Sequence, residues 1–174
     1  MNIGIISDTH DDIESTEKAI DIFNSNETQH VFHAGDFIFP GIIALFKRLN
    51  SKTRFFGVRG NNDGELLGIV QQFNKLDNAT YLNDFGKLTI ENRKIGIYHG
   101  TNNVLVNTLI ESQLFEVLIF GHTHISIKEK IGKTLVLNPG SANRKLVNKD
   151  INQENKSFII ILHLEDNEAH FIPI

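Results

Sequence analysis

The sequence lacks cysteine altogether and contains only three prolines among its 174 residues. The missing cysteines exclude disulfides, thiolate metal sites and cysteine nucleophiles. Long apolar runs are missing too, because the longest spans only residues 158–162, whereas a membrane helix needs about 20 apolar residues. We expect no secretory signal, since no lysine or arginine precedes Lys18 and the polar pair Ser7-Asp8 interrupts the first apolar stretch. These absences predict a cytoplasmic protein without membrane contact.

An excess of basic residues is also missing. The chain has 17 lysines and arginines against 21 acidic residues, which gives a formal net charge of −4. A domain that binds nucleic acid through its phosphates normally carries a basic excess, so the charge argues against a nucleic acid partner. Any phosphate chemistry would need a strong local positive charge. The length suits one domain, which we assign to residues 1–174.

Strand-like and helical patterns alternate through the first third of the sequence. They predict three strands, at residues 2–6, 30–33 and 53–58, and two helices, at residues 12–23 and 40–49. Such alternation is typical of a parallel sheet with crossover helices. Later residues predict three hairpins, at 87–98, 125–137 and 157–172. They also predict a helix at 104–114 and a strand at 117–120. We therefore predict an α/β fold of two packed mixed sheets flanked by helices, with a surface loop at 148–156.

Five polar clusters each follow a predicted strand directly. The clusters are Asp8-Thr9-His10, Gly35-Asp36, Gly60-Asn61, His99-Gly100 and Gly121-His122-Thr123-His124. In open α/β sheets, ligands bind beyond the carboxyl ends of the strands, where such loops converge. We therefore predict that the five clusters form one site. The remaining histidines are interpreted as strand-end, surface or structural residues, and they are His30, His33, His163 and His170.

The clusters contain seven candidate metal ligands, which provide four imidazoles and three side-chain oxygen donors. The candidates are Asp8, His10, Asp36, Asn61, His99, His122 and His124. Such donors suit Mn²⁺, Fe²⁺, Co²⁺, Ni²⁺ or Zn²⁺, of which we favour Mn²⁺. Seven side chains are too many for one ion that keeps an open position, but they suit two ions that share a bridging carboxylate. We therefore predict two divalent metal ions as cofactors.

The order of these clusters, followed by Asn138-Pro139-Gly140-Ser141, resembles that of the calcineurin-like metallophosphoesterases, especially their small single-domain bacterial and archaeal phosphodiesterases. The resemblance spans residues 1–141 and implies a four-layer α/β sandwich around a two-metal site. Carried over by position, it implies that Asp36 bridges the two ions. One ion would be bound by Asp8, His10, Asp36 and His124, and the other by Asp36, Asn61, His99 and His122. The turn at 138–141 is expected near the site without providing ligands.

The sequence departs from the family pattern at two positions. The family's usual Gly-Asn-His-Asp motif reads Gly60-Asn61-Asn62-Asp63 here, and Thr101 stands where many relatives carry a second histidine. The family histidine helps to bind phosphate or to protonate the leaving group. An asparagine can hydrogen-bond a phosphoryl oxygen but cannot act as a general acid near neutral pH. We therefore expect a complete metal site without the family's acid catalyst.

The resemblance implies a metal-dependent phosphoric ester hydrolase, and we expect a phosphodiesterase that acts on a small phosphoester. Two ions would lower the pKa of a bridging water, so that hydroxide attacks phosphorus in line. Asp36 and Asn61 are assigned catalytic roles through the ions, and Asn62 would orient the phosphoryl group or, alternatively, cap the following helix. Arg59 and Arg144 are candidate phosphate contacts, with a solvated surface position as the alternative for each.

Three other functions remain open at this point. The first is a catalytically weak metal-binding or protein-interaction module, because the similar retromer subunit works mainly through protein contact. The second is a nuclease, against which the charge argues, and the third is a phosphomonoesterase. The sequence leaves open the physiological substrate, the native metal, the source of the leaving-group proton and the oligomeric state, and it is compatible with a homo-oligomer.

Overall fold

Two β-sheets lie face to face in the computed structural model, which describes residues 1–146 and 156–174. The strands of the described chain are β1 (Asn2–Ile6), β2 (His30–His33), β3 (Arg54–Gly57), β4 (Ala79–Tyr81), β5 (Phe85–Ile90), β6 (Arg93–Tyr98), β7 (Val117–Ile119), β8 (Ile127–Ile131), β9 (Thr134–Asn138), β10 (Phe158–His163) and β11 (Glu168–Pro173). The helices are α1 (Ile13–Ser25), a 3₁₀ helix (Pro40–Arg48), α2 (Leu66–Phe73) and α3 (Asn103–Glu111). None of these described helices is both long and apolar enough to cross a membrane. The loop predicted at 148–156 lies outside the described residues except for its last position.

Both sheets contain parallel and antiparallel strands. The six-stranded sheet has the order β11-β10-β1-β2-β3-β4, in which β1 to β4 are parallel and β10 and β11 are antiparallel. The five-stranded sheet has the order β5-β6-β7-β9-β8, with parallel pairing of β6, β7 and β9 between two antiparallel edge strands. The strand–helix alternation of the first third produces the parallel strands, because such strands need crossover connections.

Three apolar clusters hold the layers together. The cluster between the sheets contains residues of both, such as Ile3 of β1 and Ile95 of β6. On the outer face of the six-stranded sheet, Phe23 of α1 belongs to a second cluster with strand residues and the 3₁₀ helix. On the outer face of the other sheet, Leu109 of α3 packs against the cluster that contains Leu118 of β7. The order helix, sheet, sheet, helix confirms the predicted fold class.

Two short elements, α2 and β4, were not predicted from the sequence. α2 has eight residues and buries Ile69 and Phe73, which lie four apart on one face of the helix. β4 has only three residues and completes the parallel edge of its sheet. Elements of this length contain too few positions to produce a clear periodic pattern. The helix predicted at 40–49 is a 3₁₀ helix that begins at Pro40, whose fixed φ suits a first helical turn.

Candidate metal centre

The five polar clusters follow β1, β2 and β3 of one sheet and β6 and β7 of the other. Five of the seven candidate ligands have a left-handed backbone: Asp8, His10, Asp36, His122 and His124. Aspartate and histidine enter this region more readily than most residues, but each instance still costs on the order of 1–3 kcal/mol. The tight turns allow short loops to direct several side chains into one site.

Two motif glycines allow the loops to approach the site carboxylates closely. A Cβ built at Gly60 would overlap the Asp36 carboxylate, and one built at Gly121 would overlap Ser7 and the Asp8 carboxylate. Any larger residue would displace a candidate ligand. The Gly-Asn and Gly-His motifs therefore have a steric reason for their glycines.

The first group of ligands surrounds Asp8. Its Oδ1 lies 3.3 Å from His124 Nε2 and 3.7 Å from His10 Nε2, and His10 Nε2 lies 3.5 Å from Asp36 Oδ2. Its Oδ2 accepts hydrogen bonds from the Ser7 hydroxyl and from the His122 backbone N–H. One oxygen of Asp8 is thus held by the protein, and the other faces the two imidazoles.

The second group lies on the other side of Asp36. His99 Nε2 is 3.4 Å from Asp36 Oδ2 and 3.0 Å from Asn61 Oδ1. The ring of His122 is 5.1 Å from that of His99, in an edge-to-face arrangement. Asp36 Oδ2 therefore lies within 3.5 Å of one imidazole from each group. The structure therefore brings the seven predicted ligands together, with His10 and His124 beside Asp8, and with Asp36, Asn61 and His122 beside His99.

Backbone carbonyls orient two of the imidazoles. His99 Nδ1 lies 2.7 Å from the Ala34 carbonyl oxygen, and His124 Nδ1 lies 3.0 Å from that of Leu146. A carbonyl can only accept, so each Nδ1 must carry the hydrogen when the ring is neutral. Each Nε2 then presents its lone pair to the carboxylates, as a metal-binding imidazole requires.

The carboxylates and the imidazoles of the site stabilise each other's charged forms. Burial raises the pKa of Asp8, but the neighbouring imidazoles of His10 and His124 outweigh burial and hold that pKa well below its usual range. Burial also raises the pKa of Asp36, and His99 together with Asn62 lowers it overall. The nearby Asp8 carboxylate raises the pKa of His124, and Asp36 raises the pKa of His99 against the effect of burial. Both carboxylates are therefore ionised at neutral pH, the form that binds a cation.

Two buried atoms of the site have no hydrogen-bond partner. Among the described residues, Asp8 Oδ1 and His10 Nε2 are both orphaned in this way. Buried polar atoms are nearly always satisfied, and a carboxylate oxygen beside an imidazole nitrogen forms a suitable ligand pair for a divalent ion. Donor atoms within 4.8 Å of one another occur in two sets, Asp8 with His10 and His124, and Asp8 with Asp36 and His99. The residues present thus fit the metal ions that the sequence predicts.

The three residues that the sequence predicts as phosphate contacts lie beside carboxylates of the protein itself. Asn62 is exposed and donates from its backbone N–H and its Nδ2 to the Asp36 carboxylate, at 2.8 and 2.7 Å. The alternative role of Asn62 as a helix cap is wrong, because Glu65 caps α2. Arg144 pairs with carboxylates of the α1 start, and Arg59 lies 3.7 Å from an Asp84 carboxylate oxygen.

Sequence reasoning missed the role of Asp63. This buried carboxylate accepts hydrogen bonds from the backbone N–H groups of Asp36, Ile38 and Gly60, at 3.0, 2.8 and 2.7 Å. It therefore fixes the loop that carries Asp36 against the loop that carries Asn61. The sequence signal was its position at the end of the Gly60–Asp63 motif.

His33 is also different from its sequence interpretation. It lies at a strand end as expected, but it is fully buried rather than at the surface. Its Nδ1 accepts from the Gly35 N–H at 3.1 Å, and its Nε2 lies 3.1 Å from the Thr9 hydroxyl. Burial lowers the pKa of His33 to about 3, so it stays neutral and connects two of the site loops.

The turn at 138–141 lies against the site without providing ligands. Asn138 Nδ2 donates to the Gly121 carbonyl at 2.7 Å, and the Ser141 hydroxyl donates to the Asp8 carbonyl at 2.9 Å. The turn therefore lies near the site, as the sequence predicts, and it supports the loops of Asp8 and His122.

Comparison with known proteins identifies this arrangement. Residues 1–167 match the family model of the calcineurin-like phosphoesterase superfamily domain. The chain is 37% identical over 140 residues to a phosphodiesterase of Methanocaldococcus jannaschii, covering 80% of this chain and 83% of that protein. A solved structure of an archaeal phosphodiesterase superposes with a TM-score of 0.90 at 34% identity, over 100% of both chains. Vps29 of Entamoeba histolytica, solved with zinc, shares the fold with a TM-score of 0.61 at 22% identity, over 100% of this chain and 98% of that one.

Proposed function

Since the chain belongs to the calcineurin-like phosphoesterase superfamily and is a hydrolase, we propose that it is a phosphodiesterase whose single catalytic domain uses two divalent metal ions. The observation that carries the proposal is the position of Asp36 Oδ2, within 3.5 Å of His10 Nε2 and of His99 Nε2. One carboxylate oxygen between two ligand groups suits a bridging ligand. The name of the archaeal relative supports a diester as the substrate.

The proposed metal ligands are the seven residues of the two groups, with Mn²⁺ as the favoured ion. When bound, two such ions activate water and stabilise the charge that develops on the phosphoryl oxygens. The protein itself keeps Asp8 and Asp36 ionised and holds His99 and His124 with their Nε2 atoms toward the site. Asn62 is exposed beside Asp36, where its amide can donate to a phosphoryl oxygen of the substrate. It cannot supply a proton to the leaving group.

A comparison of aryl esters tests the proposed function. We expect bis(p-nitrophenyl) phosphate to be hydrolysed faster than p-nitrophenyl phosphate, and only when Mn²⁺, Co²⁺, Ni²⁺ or Zn²⁺ is added to chelator-treated protein. A labelled DNA or RNA strand should remain intact, because the net charge of −4 disfavours its binding. Faster turnover of the monoester, or turnover that is unaffected by a chelator, would contradict the proposal.

Metal occupancy should decrease as the pH is lowered below neutral. The carboxylates raise the pKa values of His99 and His124 above the ordinary 6.5 in the metal-free site, so these rings bind protons already near neutral pH. A protonated imidazole cannot ligate a metal, so metal binding releases protons and acid competes with it. Metal content after equilibrium dialysis at several pH values between about 8 and 5 measures this competition. Occupancy that stays constant over the whole range would show that these histidines are not ligands.

A further inference from the structure

Three loops of the metal centre lead into large apolar side chains that are exposed to solvent. Ile13 is 58% exposed, Phe39 65% and Leu67 68%. Each lies at the start of the helix that follows β1, β2 or β3. Because these three strands are parallel neighbours, their following loops meet at the same edge of the sheet, where the ligands also lie. We call Ile13, Phe39 and Leu67 the apolar rim.

Phe39 is the most unusual member of the apolar rim. All 13 phenylalanines lie in the described part of the chain, and Phe39 is the only exposed one. Its backbone N–H donates to Asp11 Oδ1 at 2.8 Å, one residue beyond His10. The preceding residue, Ile38, has a φ of 73°, which is unfavourable for a β-branched side chain, and its N–H is held by Asp63. The segment is therefore fixed to the loops on both sides of it.

The ring of Phe39 is already placed before any ligand binds. It lies across the backbone of Gly41, because a Cβ built there would overlap the ring. A Cβ built at Gly68 of α2 would lie 2.8 Å from Pro40 Cγ, so the start of α2 with Leu67 packs beside this segment. A side chain that is ordered in advance loses little conformational freedom on binding.

We propose that the apolar rim binds an aromatic ring on the group of the phosphodiester substrate that does not leave, while the phosphoryl group lies at the metal centre. This inference rests on the proposed function and names its substrate class. One rim residue, Ile13, lines a cavity of about 540 Å³ together with the candidate ligand His10. The same cavity is lined by the acidic residues Asp11, Asp12 and Glu14 and by the basic residues Arg144 and Lys145, so it carries charges of both signs. An aromatic ring bound by this rim implies a diester that carries an aryl group or a nucleobase.

Three diesters with the same p-nitrophenolate leaving group test the inference: the p-nitrophenyl esters of thymidine 5′-phosphate, of phenyl phosphate and of ethyl phosphate. We expect the Phe39→Ala variant to lower kcat/KM for the phenyl or thymidine ester, relative to the ethyl ester, by about 10-fold, as for stacked bases in other proteins. A loss confined to thymidine indicates a nucleobase, and a loss for both indicates any aromatic ring. The matched control is Leu114→Ala, which removes a 56% exposed leucine at the opposite end of β7.

The outcomes separate this inference from the proposed function. If wild type hydrolyses none of the three diesters with any metal, the proposed function fails. If it hydrolyses all three and Phe39→Ala leaves their relative kcat/KM unchanged, the apolar rim does not bind the substrate. A change of oligomeric state in Phe39→Ala, measured by light scattering, with unchanged relative kcat/KM would assign the rim to contact with a second copy and would also overturn the inference.

Discussion

Replacing Asp36 with alanine should remove both metal ions and abolish hydrolysis of aryl diesters. The substitution deletes the one carboxylate oxygen that lies within 3.5 Å of an imidazole from each ligand group. Loss of a residue that only supports a metal ligand typically costs about 10–100-fold in affinity or activity. Loss of a ligand shared by two ions should therefore cost more. Elemental analysis after reconstitution, together with kcat/KM for bis(p-nitrophenyl) phosphate, measures both effects.

The fold should survive this substitution. The backbone N–H of Asp36 is bound by Asp63, so the loop keeps its main anchor without the Asp36 side chain. Asp21→Ala is the matched control, because Asp21 is an exposed aspartate of α1 that pairs with Arg48. A metal stoichiometry of one in wild type, with activity that survives Asp36→Ala, would contradict the two-metal proposal.

The sequence predicted the position of the site better than its supporting contacts. Asp8, Asp36 and His99 could be assigned because each directly follows an apolar strand, and parallel strands place their carboxyl ends together. The two ligand sets came from the resemblance to a family, since spacing alone does not show which imidazole faces which carboxylate. The structure places one imidazole from each set, His10 and His99, within 3.5 Å of Asp36 Oδ2.

The supporting residues could not be predicted for a physical reason. Asp63 acts through backbone N–H groups of residues up to 27 positions away, and no side-chain pattern reports such bonds. His33 has the same strand-end position in the sequence as an exposed histidine would have, and only the packing of Phe37 against its ring shows its burial. α2 and β4 were missed because eight and three residues give too little periodicity. Local patterns therefore predict elements and ligands, whereas tertiary contacts decide what holds them.

This protein should hydrolyse diesters with an alkoxide leaving group far more slowly than diesters with an aryloxide leaving group. A p-nitrophenolate scarcely needs a proton on departure, whereas an alkoxide does, and positioned acid catalysis typically contributes about 10²–10⁴-fold. Asn62 occupies the position of the family histidine and cannot act as that acid. Its Nδ2 instead donates to Asp36 Oδ2 at 2.7 Å. We therefore expect the ratio of kcat/KM for matched aryl and alkyl diesters to be large in wild type.

Asn62→His should reduce that ratio by restoring alkyl turnover, while aryl turnover changes little. The backbone N–H of residue 62 still reaches Asp36 Oδ1 in this variant, at 2.8 Å in the wild-type structure, so the bridging carboxylate keeps one of its two contacts. Asn62→Ala is the control that loses the same side-chain hydrogen bond without gaining an acid. If Asn62 only positions Asp36, both variants should lower aryl and alkyl turnover in parallel, because metal binding precedes both reactions. If wild type hydrolyses both leaving groups equally well, another group supplies the proton, and the role assigned to Asn62 is wrong.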